Sequence, residues 1–213
     1  FDGVKYSPYG EEQAWLEQYG LIKNKAGKAV PANNRYKKMF VQVFFDEVRA
    51  DTGISPQTYV LPGCRLNMER LLLDFGRYIA QIGVRAFYEK KKPYEKTGQF
   101  LLTAWLYPFA KDGDGDLRYE SISGLGRMDI VLNYKGRKYI IETKVNHQND
   151  LSDILDQGIA QVTEKYLATE SVAEGYLVVF DTGTPTGTIN KPQVHVKEDK
   201  EITCVIIGIG YRE

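Results

Sequence analysis

Two carboxylates and an amine, Asp129, Glu142 and Lys144, lie in the stretch 126–145, GRMDIVLNYKGRKYIIETKV, at a spacing that suits phosphodiester hydrolysis. Lys138 to Val145 is dense in apolar and β-branched residues and is expected as a strand, so Tyr139, Ile141, Thr143 and Val145 share one face and Glu142 and Lys144 the other. Gly126 to Leu132 is expected as a second strand, with Met128, Ile130 and Leu132 on one face and Asp129 and Val131 on the other. A turn around Lys135-Gly136 joins them. With a two-residue loop Tyr134 faces Arg137, and counting back sets Asp129 directly opposite Glu142; a three-residue loop with a glycine bulge shifts that count by one. Opposed like charges on one sheet face destabilise it by about 0.2–1 kcal/mol. A hard divalent cation compensates, because Mg²⁺ takes carboxylate oxygens and keeps positions open for water and phosphate. Lys144, on the same face as Glu142, then orients the attacking water or stabilises charge developing on phosphorus. On spacing alone, an ordinary ion pair on a solvated face accounts for the three residues equally well.

Asp129, the hairpin and Glu142-Thr143-Lys144 resemble the motif of the PD-(D/E)XK nuclease superfamily, an acidic residue, a hairpin, then Asp/Glu-x-Lys. With their flanks, SGLGRMDIVL, YIIETKV, an amphipathic helix and AEGYLVVFD are similar to the C-terminal nuclease-like module of a group of bacterial AAA-type ATPases, over roughly Leu61 to the end. The resemblance implies a restriction-endonuclease-like α/β fold, an αβββαβ core with a mixed central sheet. It also implies Asp129 and Glu142 as metal ligands together with the Thr143 carbonyl, Lys144 as the catalytic lysine, Mg²⁺ or Mn²⁺ as cofactor, and DNA as substrate, with RNA not excluded. Met128 stands where the superfamily often has proline. The helix before the hairpin often presents a third acid in this superfamily; Glu95 is the candidate, Glu89 the reserve, and a first-turn glutamate favoured by the helix dipole is the competing reading. Related nucleases carry a Q-x-x-x-Y helix beside the site, which makes Gln161 a candidate. Here Gln161 and Tyr166 are five apart, a spacing that an α-helix turns to different faces.

The elements that must position these residues follow from periodicity. Asn67 is expected to cap a helix to about Ile82, apolar at Leu71, Leu72, Phe75, Tyr78, Ile79 and Ile82. Glu95 to Phe109 is expected as the next helix, and Tyr119 to Ser123 as the first strand of the meander. Asp112-Gly-Asp-Gly-Asp116 resembles a calcium loop only in its alternating acids and is expected as a turn. Asn149 or Asp150 is expected to cap a helix to about Ala168 with Leu151, Ile154, Leu155, Ile159, Val162 and Tyr166 as its apolar stripe and Gly158 allowing close approach to the sheet. Tyr176 to Phe180 and Ile202 to Gly208 are expected as buried strands, Thr182 to Glu198 as loop, and His147 as a solvated loop histidine. Upstream, a helix from Glu11 to Tyr19 followed by short strands around Lys25 to Lys28 suggests a partial winged-helix-like segment over residues 1–60, with 50–63 as linker and 61–213 as the nuclease-like domain. Arg35, Lys37 and Lys38 are candidates for phosphate contacts or simply a solvated face.

Charge narrows the function classes. Lys plus Arg number 28 against 28 Asp plus Glu, so strong autonomous DNA affinity is not expected from net charge. A catalytically silent nuclease-fold module, for nucleic-acid binding or for regulating an upstream ATPase, is therefore the alternative. Cys64 and Cys204 are expected as reduced core residues of a cytoplasmic protein, and two Cys with two His give no zinc spacing. The sequence contains no run of about 20 apolar residues and no P-loop signature. Because it begins at Phe1, it is expected to be a fragment whose ATPase domain or subunit lies upstream; self-association to a homo-oligomer is compatible with the sequence.

Overall fold

The computed structural model describes residues 4–7, 9–33, 35–36, 39, 43, 55–82, 88–89, 92–93, 95–112, 115–123, 126–147, 150–167, 172, 174–197 and 199–210. The chain divides into two compact units, Phe1–Asp51 and Thr52–Glu213.

In the first unit, β1 (Val4–Lys5), α1 (Glu11–Gln18), β2 (Ile22–Lys25) and β3 (Lys28–Pro31) form a helix and a small antiparallel sheet of order β1-β3-β2. Ala26 and Gly27 both have positive φ, 52° and 77°, the conformation of the two-residue hairpin turn, and Asn24 Oδ1 accepts from the Gly27 amide at 2.9 Å. Of the basic candidates here, Lys37 and Lys38 lie outside the described residues.

The second unit begins where a linker was expected. Proline and glycine there punctuate short turns, Pro56–Tyr59 and Pro62–Cys64, leading into the two-residue strands β4 (Val60–Leu61) and β5 (Arg65–Leu66). Tyr59 is buried and donates its hydroxyl to Asp74 of α2 (Met68–Ile82) at 2.9 Å, so this stretch belongs to the packed unit. Asn67 Oδ1 accepts from the Arg70 amide at 3.0 Å and caps α2 as expected. After the short strands β6 (Tyr88–Glu89) and β7 (Lys92–Pro93) comes α3 (Glu95–Asp112). The hairpins β8 (Asp116–Ser123), β9 (Gly126–Tyr134) and β10 (Arg137–Asn146) follow, then α4 (Leu151–Ala160), β11 (Glu174–Pro185), β12 (Gln193–Lys197) and β13 (Lys200–Gly210). This is an α/β fold in the order αβββαβ with two further strands. The central sheet is mixed, of order β12-β13-β11-β10-β9-β8: β10, β11 and β13 are parallel and the rest antiparallel.

Thr182 to Glu198 is not wholly loop. β11 runs on to Pro185, and β12 forms from QVHVK, a polar alternation that only an edge strand half-buries. Val194 and Val196 on it are exposed. Cys64 is exposed rather than in the core, since the turn at Pro62–Cys64 carries it on the surface; Cys204 is buried, and burial pushes its thiol up to about 12. Among the described residues no helix is long and apolar enough to cross a membrane.

Layers cover both faces of the sheet. On one, Phe180 of β11 meets Phe75 of α2 at 6.3 Å and the backbone of α3 at Gly98. On the other, Ile140, Leu177, Val179, Ile202, Cys204 and Ile206 pack under Ile159 of α4 and under Val162 and Leu167 just beyond it. Glycines let the helices come close. A Cβ on Gly158 would lie 2.6 Å from Leu177 Cδ2, and one on Gly98 would lie 2.3 Å from Phe180 Cε2. Phe180 is fully buried and cannot step aside, so Gly98→Ala is expected to destabilise the second unit by about 1–3 kcal/mol, an overpacking cost read as a lowered denaturation midpoint at unchanged m-value.

The helix after β10 departs from the expected α-helix. Asp150 caps it, accepting from the Ser152 amide at 2.8 Å, but after Ala160 the chain winds as a π-helix over Gln161–Leu167. Thr163 Oγ1 donates to the Ile159 carbonyl at 2.8 Å, a side-chain bond that competes with the α ladder at the point where it changes. A π turn closes on i→i+5, so Val162 and Leu167, five apart, both enter the core. The apolar stripe therefore ends on Leu167, where the α periodicity expected Tyr166; the side chain of Tyr166 lies outside the described residues.

Candidate active site at the β9–β10 fork

Lys135 and Gly136 both have positive φ, 46° and 78°, so the hairpin closes through two residues. Arg137 pairs with Tyr134, and the register continues through Lys138↔Asn133, Tyr139↔Leu132 and Ile140↔Val131 to Ile141↔Ile130. The paired register ends there, one step short of the Asp129–Glu142 pair that the count predicts. There the backbone ladder gives way to a side chain: the Thr143 amide donates to Asp129 Oδ2 at 2.9 Å, and Thr143 Oγ1 donates to the same oxygen at 2.8 Å. Asp129 thus fills the fork between the two strands. Gln99 of α3, itself buried, supplies a further hydrogen bond to this carboxylate.

Glu142 is 1% exposed, on the α4 side of β10. Its Oε1 accepts from Lys144 Nζ at 2.6 Å, and Gln161 Oε1 accepts from the same ammonium at 2.9 Å. Gln161 is the first residue of the π turn, where the spacing to Tyr166 that is out of phase in an α-helix spans one turn. The structure therefore joins Glu142, Lys144 and Gln161 by direct hydrogen bonds. It ties Asp129 to Thr143, the residue between Glu142 and Lys144, and Lys144 acts electrostatically on Asp129 as well. Glu95 opens α3 one turn before Gln99, and its side chain, like that of Glu89, lies outside the described residues. His147 is exposed, as expected.

Burial pushes the Asp129 carboxyl above its ordinary value, against the opposing pull of the Thr143 and Gln99 hydrogen bonds and the Lys144 charge. A carboxyl raised in the native state binds its proton more tightly there than in the unfolded chain. Its contribution to stability therefore falls as pH rises from the ordinary 3.8 through the raised value, and Asp129→Asn is expected to flatten that part of a stability-versus-pH curve in chemical denaturation.

Just past Lys144 the polar row continues. Asn146 Nδ2 donates to Asp181 Oδ1 at 2.9 Å, and Thr182 Oγ1 donates to the Asn146 carbonyl at 2.8 Å, pinning β10 to β11 at their C-terminal ends. Gln99 escaped the sequence reading, although a signal existed. It occupies the stripe of Leu102, Leu106 and Phe109 on α3, a polar residue at a core position.

Among the described residues no group of three or more His, Cys, Asp or Glu side chains converges to hold a metal. The donor set nevertheless fits Mg²⁺, which is held by one or two carboxylates and keeps several waters. A buried carboxylate, Glu142, and a half-buried one, Asp129, stand against one ammonium, an excess of negative charge that a divalent cation offsets.

A family model described as "Domain of unknown function (DUF8371)" matches residues 67–184, more than half of the chain. No curated protein matches it.

Proposed function

Since the chain belongs to the DUF8371 family, whose description names no activity, we propose from the site that it is a metal-dependent nuclease of the PD-(D/E)XK type acting on DNA. One observation carries this reading: Asp129 seated in the strand fork and bonded to Thr143, the residue between Glu142 and Lys144, with Lys144 hydrogen-bonded to Glu142 and to Gln161. An ordinary surface ion pair would not be buried to this degree, because burying charges costs more than an exposed pair returns.

The Asp129 and Glu142 carboxylates and the Thr143 carbonyl would hold Mg²⁺ or Mn²⁺. The bound ion would polarise a phosphoryl oxygen and make its water a stronger nucleophile. Lys144 has three N–H donors, two of them directed at Glu142 and Gln161, which leaves one for a water or a phosphate oxygen. Water oxygen bonds to phosphorus as the bond to the 3′ oxygen breaks, giving a 5′-phosphate and a 3′-hydroxyl. DNA, an upstream ATPase domain or subunit and a cytoplasmic setting complete the proposal.

Equal numbers of basic and acidic residues favour a second reading, a catalytically silent module for nucleic-acid binding or regulation of an upstream ATPase. Incubation with supercoiled plasmid, linear single- and double-stranded DNA, and RNA, with Mg²⁺, Mn²⁺ or EDTA, separates them. Cleavage that EDTA abolishes supports the nuclease. A folded protein that leaves every substrate intact and takes up no Mn²⁺ in titration calorimetry overturns it.

A further inference from the structure

We propose that Gln99 is the positioning residue for Asp129, holding that carboxylate in the strand fork in the orientation that accepts a divalent cation. The inference rests on the metal-site reading above and adds a residue from α3, on the sheet face opposite Gln161. The physical case is one of satisfaction. Gln99 is 5% exposed and stands in the apolar stripe of α3, where a leucine would bury more favourably, so its amide is retained at a cost unless it has a partner. That partner is the Asp129 carboxylate. The other donors on Asp129, the Thr143 amide and hydroxyl, both reach Oδ2 from β10, from one direction. Gln99 reaches it from the helix above, so the carboxylate is fixed by two elements at once. Gly98, next to it, has no side chain to keep α3 from lying close against Phe180 of the sheet. Partners behind metal ligands typically contribute about 10–100-fold in metal affinity.

The test is Mn²⁺ titration calorimetry on the wild type and on Gln99→Met, which keeps the volume and removes the donors, with circular dichroism to check folding. The expected result is binding to the wild type and roughly 10–100-fold weaker binding to Gln99→Met. Equal affinities overturn the role of Gln99 and leave the metal site standing; no binding to the wild type overturns the metal site itself. A measurement without mutation runs beside it. The side-chain amide cross-peak of Gln99 in a ¹H–¹⁵N spectrum is expected to shift on Mg²⁺ addition, along the same saturation curve as the Thr143 backbone amide. A Thr143 amide that moves while the Gln99 amide stays still also overturns the proposal.

Discussion

Lys144→Met is expected to unfold about 3 kcal/mol more easily than the wild type at neutral pH, and the further change Glu142→Gln to recover most of that loss. Glu142 is almost wholly buried, and the Lys144 ammonium at 2.6 Å is its charge partner. Removing one member of a buried pair costs about 3–5 kcal/mol, because the remaining charge is left without compensation. Lys144 keeps 23% of its side-chain exposure, so water offsets part of the loss and the low end applies. For a unit of this size the shift corresponds to a melting temperature lower by roughly 6–12 °C. Methionine retains the packing of the lysine stem, which confines the change to charge. A double variant as unstable as the single one would show that packing, not charge, sets the cost.

The second large effect is on chemistry. Asp129→Asn is expected to lower metal-stimulated cleavage by at least about 10²-fold, in the range typical of losing one electrostatic group at a reacting centre. The asparagine keeps the shape that fits the fork and can still accept from Thr143, so the fold should hold. What it loses is the negative charge. Gln161→Leu, by contrast, removes only one acceptor from Lys144 and should act more mildly. Initial rates on supercoiled plasmid across a Mn²⁺ series would distinguish the two: raising Mn²⁺ should partly rescue Asp129→Asn and leave Gln161→Leu unchanged. Equal activity of Asp129→Asn and wild type would remove Asp129 from the mechanism.

The hairpin was the most legible part of the chain. Alternation over β9 and β10 set the faces, and a Lys-Gly pair that can adopt positive φ twice made the two-residue loop, so the register runs as counted as far as Ile141↔Ile130, one step short of Asp129 and Glu142. What alternation could not supply was the opening of the fork. The same count leaves Asp129 on the Glu142 face, whereas the structure draws its carboxylate to Thr143 and Gln99, because a side chain replaces the next ladder bond. Gln99 itself stays hidden because apolar periodicity does not mark a polar residue at a core position. The winding after Ala160 is unreadable for a similar reason: apolar spacing carries a period of 3.6 into it, and nothing in QVTEKYL announces the change of ladder that puts Leu167 in the core. β12 was missed because QVHVK has too little apolar content to stand out, and its pairing with β13 is decided by tertiary contact.

The π turn has a further consequence for how the molecule breathes. Its wider ladder is intrinsically poorer than that of an α-helix, so residues 161–167 should be the first part of this layer to exchange their amide protons, ahead of Leu151–Ala160. Gln161 belongs to that segment, while Glu142 and Lys144 sit on β10, paired with Leu177 and Val179 of β11. Each transient opening would withdraw one acceptor from Lys144 and leave its ammonium on Glu142 alone, without disturbing the strand that carries both. The site thus has a stiff half and a half that can let go.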